Sequence, residues 1–252
     1  VGASALLQSK ETQTRLTPRL GIIVAMSAEA RCLMDHKFKP GELVDFYDGG
    51  WIQLCGIGPQ RAARAAESLL ARGAGALLSW GTAGALSPEL LPGSLILPKV
   101  ITAAGGEQCH VDREWHMRTM RCLQDHLMIR DDPIVESETV VAGVVDKAQL
   151  FARSRAGAVD MESGVIAWTA ARAGVPFLAI RAIVDAANTE IPREVVNMFS
   201  VHGEWRLSAA VLAVLRRPPV VADCLRLWHD VRAAYGSLRQ VARLLGPSLQ
   251  LE

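Results

Sequence analysis

Short apolar runs alternate with stretches of helical spacing along most of this chain, and that alternation leaves few architectures open. Leu20 to Ala25 and Trp51 to Cys55 read as strands, the second leading into Gly56-Ile57-Gly58. After Pro59, Ala62, Ala63, Ala66, Leu69 and Leu70 recur at helical spacing until Gly73 supplies a stop. Ala76 to Trp80 reads as a buried strand that opens on Gly81-Thr82-Ala83-Gly84. Leu95 to Ala103, Ala158 to Asp160 and Val175 to Asp185 are further strand candidates, and Glu162 to Ala173 is helical up to Gly174. Strands interleaved with helices predict an α/β domain with a mixed or parallel sheet, in which ligands gather beyond the carboxyl ends of the strands.

Three acidic stations stand at or just past such strand ends: Glu29 after Met26-Ser27-Ala28, the block Asp160-Met161-Glu162, and Asp185 after Arg181-Ala182-Ile183-Val184. Glu29 and the Asp160 block each have a bland reading as acids favoured by a helix N-terminus. Arg181 and Asp185 do not, because charge in an apolar strand is costly unless paired or placed at a functional rim. Strand alternation puts Arg181, Ile183 and Asp185 on one face, so both charges are expected to look into one pocket. The glycine-rich loops after Cys55 and Trp80 offer backbone N–H groups and the Thr82 hydroxyl to a ribose or an anion. Acids converging in this way suit a base joined to a sugar: one near the anomeric carbon, one for the sugar hydroxyls, one for the leaving base.

At 252 residues, half of them hydrophobic, the chain is expected to form one α/β domain. Residues 1–19 read as a loose tail, 20–217 as the catalytic domain and 218–252 as an amphipathic helical extension packed on it. Twenty-seven basic against 26 acidic residues leave +1, no signature of nucleic-acid binding. The five cysteines are scattered and lack a disulfide or zinc pattern, which fits a reducing cytoplasm. Gly164 to Ile180 and Leu207 to Leu215 are interrupted or flanked by arginine and fall short of the roughly 20 residues of a spanning helix. Cys109, His110, Asp112 and His116 do not have structural-zinc spacing, and no metal is expected. The dinucleotide fingerprint, the Walker loop and the nucleophile elbow of serine hydrolases are missing.

Taken together, Gly21 to Glu29, Gly81 to Gly84, Val159 to Ser163 and Arg181 to Asp185 resemble, in order, the motifs of the nucleoside phosphorylase superfamily. The methylthioadenosine/S-adenosylhomocysteine nucleosidases are the branch they look most like. The resemblance implies a single-domain, three-layer α/β/α fold around a mixed sheet and cleavage of the N-glycosidic bond of a purine nucleoside. It implies that Glu29 activates the attacking water, that Met161 and Glu162 hold the ribose, and that Asp185 assists protonation of the purine at N7. Thr82, with Ala83 and Gly84, then lies beside the ribose, and Arg181 supports the acids. No cofactor is implied beyond phosphate as a co-substrate, and the implied assembly is a homodimer.

Two positions depart from the pattern. Val184 stands where the nucleosidases commonly have a serine that helps hold the acid, so Asp185 must be positioned differently here. Ser79 stands where many phosphorylases have a phosphate-binding arginine, which leans toward hydrolysis unless Arg31, Arg61 or Arg64 supplies an anion site. Ala28 to Cys32 and the C-terminal stretch also look like the hopanoid-associated phosphorylase branch, linked to removal of adenine from adenosylhopane. From Arg216 to Arg243 there are six arginines against Asp223 and Asp230, so this segment reads first as helices packed on the core with solvated arginine faces and, as the alternative, as a peripheral contact to anionic lipid at the inner membrane surface. A lipid-linked adenine nucleoside, a soluble methylthioadenosine-type substrate and a non-catalytic nucleoside-binding role remain the alternatives.

Overall fold

Ala76–Ala85 (β4) is a ten-residue strand around which the rest of the sheet is arranged in this computed structural model, which describes residues 18–192, 194 and 220–251. Leu20–Val24 (β1) and Phe177–Asp185 (β11) flank β4 in parallel, and their near-continuous burial explains why these runs lack polar alternation. Outside β1 lie Gly50–Leu54 (β3) and Leu43–Phe46 (β2). At its carboxyl end β4 also pairs antiparallel with Ala158–Asp160 (β10), followed by Ile134–Glu136 (β9), Val100–Thr102 (β6) and Gln108–His110 (β7). Leu95–Ile96 (β5) joins β11, and Ile129–Arg130 (β8) joins β5. Among the described residues the result is one mixed, eleven-stranded sheet.

The expected strand from Leu95 to Ala103 is two strands, β5 and β6. Pro98 lies between them and has no N–H for a ladder, a signal the sequence carried.

Helices Pro59–Ala71 (α2) and Ser163–Ala173 (α5) pack on each other, and α2 also covers β1 and β3. Proline at its first position suits α2, since that N–H has no helical partner, and Gly174 ends α5 at φ +67°. Ser27–Ala30 (α1), Arg113–Leu123 (α3) and Val144–Ser154 (α4) are the shorter helices.

Val220–Leu245 (α6) is a single continuous helix packed against β11, α3 and α1. Its inner face, Ala234, Leu238, Val241 and Leu245, is buried in the main core together with Leu249 beyond it. Trp115 of α3 donates its indole N–H to Leu249 O at 2.8 Å, and Arg118 donates to Gln250 O and Leu251 O. The C-terminal segment therefore completes the core. Residues 1–17 of the expected tail, the apolar run Leu207 to Leu215 and Pro218-Pro219 lie outside the described residues. Among the described residues no helix is long and apolar enough to cross a membrane.

Candidate active site

The carboxyl end of β1, the middle of β4 and β11 and the start of α5 enclose a small cavity of about 10 Å³, lined by Glu29, Ser79, Thr82, Glu162 and Arg181 among others. Glu29 reaches it because β1 ends two residues before Met26, whose N–H then caps on Glu29 Oε2 at 3.1 Å while α1 turns the side chain inward. The other oxygen, Oε1, accepts both the Thr82 N–H at 2.8 Å and the Thr82 hydroxyl at 2.7 Å. The carboxylate lies on Gly81, where a Cβ would stand 2.9 Å from Oε1, so the glycine is needed for close approach. Burial pushes the Glu29 carboxyl above its ordinary range, with the Thr82 hydrogen bonds and Arg181 pulling back.

Glu162 faces Glu29 from the N-cap of α5 and accepts the Gly58 N–H at 2.7 Å. The Gly56-Ile57-Gly58 loop, read in sequence as a candidate ribose or anion cradle, thus spends this N–H on a protein carboxylate. Gly58 adopts φ +110°, which aims its N–H in this way and favours glycine. Burial, reinforced by the Asp160 charge, pushes Glu162 up to about 8, so it carries a proton near neutrality.

Asp160 is the hub behind the cavity. Its Oδ2 pairs with Arg181 Nε at 2.8 Å and accepts the Ser163 hydroxyl, while Oδ1 accepts the N–H groups of Glu162 and Ser163 at the start of α5. Of its four remaining donors Arg181 spends three, on Ile180 O, on Ser79 Oγ at 2.6 Å and on Ser163 Oγ at 2.8 Å. Ser79 is thus the second anchor of a guanidinium buried to 2 % exposure, and Arg181 has little left for a ligand.

Asp185 does not share the Arg181 face, contrary to strict alternation. The pairing of β11 with β4 shifts between Ile183 and Asp185, so Asp185 sits opposite Gly84 while Arg181 sits opposite Gly81. Val184 is the extra residue, and a bulge of this kind reverses the side-chain phase beyond it. Asp185 stands over Gly84, where a Cβ would lie 3.2 Å from Oδ1. Its other oxygen accepts from the Lys147 ammonium of α4. Burial raises the Asp185 carboxyl, and Lys147 counteracts part of that rise. Lys147 has no place in the sequence reading. Its only signal is a lysine on the same helical stripe as Leu150, Phe151 and Ser154.

Of the remaining candidates, Thr82 and Gly84 are half-buried and Ala83 is buried along β4, and Met161 is half-buried at the β10–α5 junction. Arg31 lines a different cavity, of about 370 Å³, with Arg239 and Arg243 where α1 meets α6. Arg61 donates to Ile57 O from an exposed position, and Arg64 is exposed on α2. None of these three arginines lines the Glu29 cavity. Asp112 caps α3 through Trp115 N, and His116 is buried against Leu97 O, so both serve the fold.

Over residues 19–216 the sequence matches the phosphorylase superfamily. The chain belongs to that superfamily. With that membership it is an enzyme of N-glycosyl bond cleavage, and its mixed sheet with flanking helices is the nucleoside phosphorylase fold. Solved structures of superfamily type superpose on it at low identity. Methylthioadenosine/S-adenosylhomocysteine nucleosidase of Campylobacter jejuni is 17 % identical with a TM-score of 0.67, covering 93 % of this chain and 98 % of that one. A Helicobacter pylori methylthioadenosine nucleosidase mutant with 5′-methylthioadenosine in its active site is 21 % identical with a TM-score of 0.63, covering 77 % and 96 %. Futalosine hydrolase of Helicobacter pylori is 20 % identical with a TM-score of 0.60, covering 68 % and 86 %. No protein of curated function matches the chain.

The Campylobacter superposition leaves 7 % of 252 residues, about 18, outside it, fewer than the 36 residues that follow 216. It therefore extends past residue 216, toward the segment that forms α6 here.

Proposed function

We propose that the protein hydrolyses the N-glycosidic bond of an adenine nucleoside with an apolar 5′ substituent. In this reading Glu29 takes a proton from water, Glu162 and Met161 hold the ribose beside Thr82, Ala83 and Gly84, and Asp185 protonates the purine at N7. The observation that carries it is the cavity among Glu29, Thr82, Glu162 and Arg181, whose volume of about 10 Å³ is that of one water centre. Two buried carboxyl groups border it, one of them neutral, and its one guanidinium is already bound by Asp160, Ser79 and Ser163. Such a lining suits a neutral water and offers a phosphate no cation that is not already paired.

The chemistry follows from charge. As the bond from C1′ to the base lengthens, the sugar becomes oxocarbenium-like, and negative charge near Glu29 stabilises it. Burial makes Glu29 a stronger base than an exposed glutamate. Neutral Glu162 keeps a proton to donate to a ribose hydroxyl, and burial shifts Asp185 in the same direction, toward the protonated form that the leaving base needs.

For the 5′ substituent, adenosylhopane is the reading supported by the resemblance of Ala28 to Cys32 and of the C-terminal segment. These two stretches touch: the Cys32 thiol reaches Tyr235 O of α6 at 3.7 Å. On the outer face of α6, Leu225 and Trp228 are exposed and Arg232 stacks on Trp228 at 4.6 Å, a mixed apolar and basic surface suited to an anionic lipid interface. Co-sedimentation with anionic but not neutral vesicles, lost in Trp228→Ala, tests that contact, and light scattering tests the homodimer.

The experiment for the reaction is product analysis with 5′-methylthioadenosine and longer 5′ analogues in phosphate-free buffer. Free adenine and the free 5-substituted ribose are expected. Turnover that requires phosphate and yields the sugar 1-phosphate would overturn the hydrolytic step, and no adenine from any analogue would overturn the whole reading.

A further inference from the structure

Lys147 is fully buried, and all three N–H bonds of its ammonium have acceptors: Asp185 Oδ2, Ala186 O at 2.9 Å and Thr189 O at 2.8 Å. A buried ammonium costs several kcal/mol of hydration, so a fold keeps one where its contacts offset that loss. Two of the three acceptors are carbonyls of the turn that ends β11, a turn that also closes on itself through Thr189 N to Ala186 O. The lysine therefore fixes the carboxylate and the backbone on which it rides.

We propose that Lys147 is the positioning residue of the base-protonating acid, holding Asp185 by Oδ2 so that Oδ1 is the oxygen presented to the purine. This rests on the reading of Asp185 as proton donor to N7. Among the described residues Oδ1 accepts no hydrogen bond, whereas Oδ2 is held by Lys147. The nucleosidases that this chain resembles commonly place a serine next to the acid, and here that position is Val184, which offers no hydrogen bond. Lys147 supplies the missing anchor from a different element.

Lys147 also changes the energetics of the step. When the C1′–N9 bond breaks, its electron pair leaves with the purine and N7 takes the proton from Asp185 Oδ1. The new carboxylate then lies against the ammonium, while water adds to C1′ and gives its proton to Glu29. Without Lys147 that carboxylate would form unpaired in a buried site, facing the further negative charge of Asp230 on α6. Among the described residues, Lys147 from α4 and Asp230 from α6 are the charged groups that bear on Asp185.

The test compares two leaving groups. Adenine requires protonation to depart, and 4-nitrophenolate does not. In Lys147→Met, kcat for adenine release from 5′-methylthioadenosine is expected to fall about 100-fold or more, the scale of a general acid. Hydrolysis of 4-nitrophenyl β-D-riboside is expected to stay within threefold of wild type. Lys147→Arg, which keeps the charge in a different geometry, is expected to show the same split in milder form, and it serves if the methionine variant does not fold. Adding Lys147→Met to Asp185→Asn should cost nothing further.

Equal losses on both substrates would assign Lys147 a purely structural role, and unchanged adenine release would remove it from the mechanism. Wild type that cleaves the nitrophenyl riboside but releases no adenine would instead refute the assignment of an adenine nucleoside, leaving the two failures distinguishable.

Discussion

Thr82 gives both its backbone N–H and its hydroxyl to the same oxygen of Glu29, at 2.8 and 2.7 Å. One residue thereby sets the orientation of the proposed base and tempers its basicity, because both bonds favour the charged carboxylate against the pull of burial. Thr82→Val removes one of them and keeps the shape. A hydrogen bond to a charged group contributes about 1.5–3 kcal/mol, so kcat/KM at neutral pH is expected to fall roughly tenfold to a hundredfold. The Glu29 carboxyl should rise further, moving the acid limb of the pH profile to higher pH. A smaller rate with an unmoved limb would show that Glu29 is not the titrating base.

Gly81 makes the same carboxylate possible from below. Gly81→Ala places a Cβ at 2.9 Å from Glu29 Oε1 and 3.0 Å from Oε2, closer than real contacts allow. The side chain or α1 must move, and a misplacement of about 1 Å can cost about 100-fold in rate. Loss of adenine release with an unchanged circular dichroism spectrum is the expected result. Full activity would mean that the Glu29 position tolerates displacement and is not tuned for chemistry.

Behind the cavity, the Arg181 and Asp160 side chains are 3 % and 1 % exposed, and the pair also organises the start of α5. Asp160→Ala leaves the guanidinium buried without its counter-charge, a change that typically costs about 3–5 kcal/mol. Urea denaturation should show a loss of that size. Ser79→Ala removes a single hydrogen bond to the same guanidinium and should cost about 1.5–3 kcal/mol. Equal stability of Asp160→Ala and wild type would mean that Ser79 and Ser163 suffice to hold Arg181.

How much of this was legible in the sequence depends on distance along the chain. Glu29 and Glu162 could be placed just past strand ends and Arg181 inside a strand because each sits in or beside a local apolar run, and they do meet at one cavity. The role of Lys147 could not be read, since its partner is 38 residues away and a lysine on a helix stripe ordinarily snorkels to solvent. The facing of Asp185 was misread because a single inserted residue, Val184, undoes a period-two argument without leaving a composition signal. The last helix looked like an appended surface helix because its arginine face is as polar as solvent demands. Only the tertiary fold shows that Leu238, Val241 and Leu245 finish the core.

Glu162 gives a prediction in pH. Burial and the Asp160 charge raise it from 4.5 to about 8, so in this window the folded protein holds a proton that the unfolded chain releases. A raised folded-state value contributes stability that is complete below about 4.5 and is lost as pH rises through about 8. The unfolding free energy of wild type should therefore decline between these limits, and Glu162→Gln, which mimics the protonated form, should show a shallower decline. Buried Glu29 titrates in the same direction, so a residual slope is expected. Parallel curves for variant and wild type would mean that Glu162 is ionised in the folded protein.

The last prediction concerns the 5′ group, where an apolar substituent should raise kcat/KM over adenosine and inosine. Burying one methylene is worth about 0.8 kcal/mol, roughly fourfold, so a 5′-alkylthio series should climb by steps of that order while each carbon is buried. The gain belongs in kcat/KM because the contacts form on binding and persist in the transition state. Deleting residues 219–252 cannot serve as the control, since Ala234, Leu238, Val241 and Leu245 of that segment are core residues and the truncated chain would expose Trp115 and β11. Substitutions on the outer face of α6, at Leu225 and Trp228, which are 63 % and 53 % exposed, spare the core and are the better probe. If these variants climb as steeply as wild type, the 5′ chain is bound without that face. A series that peaks at methyl and falls sharply afterwards would remove the lipid-linked substrate and leave a nucleosidase of the ordinary methylthioadenosine type.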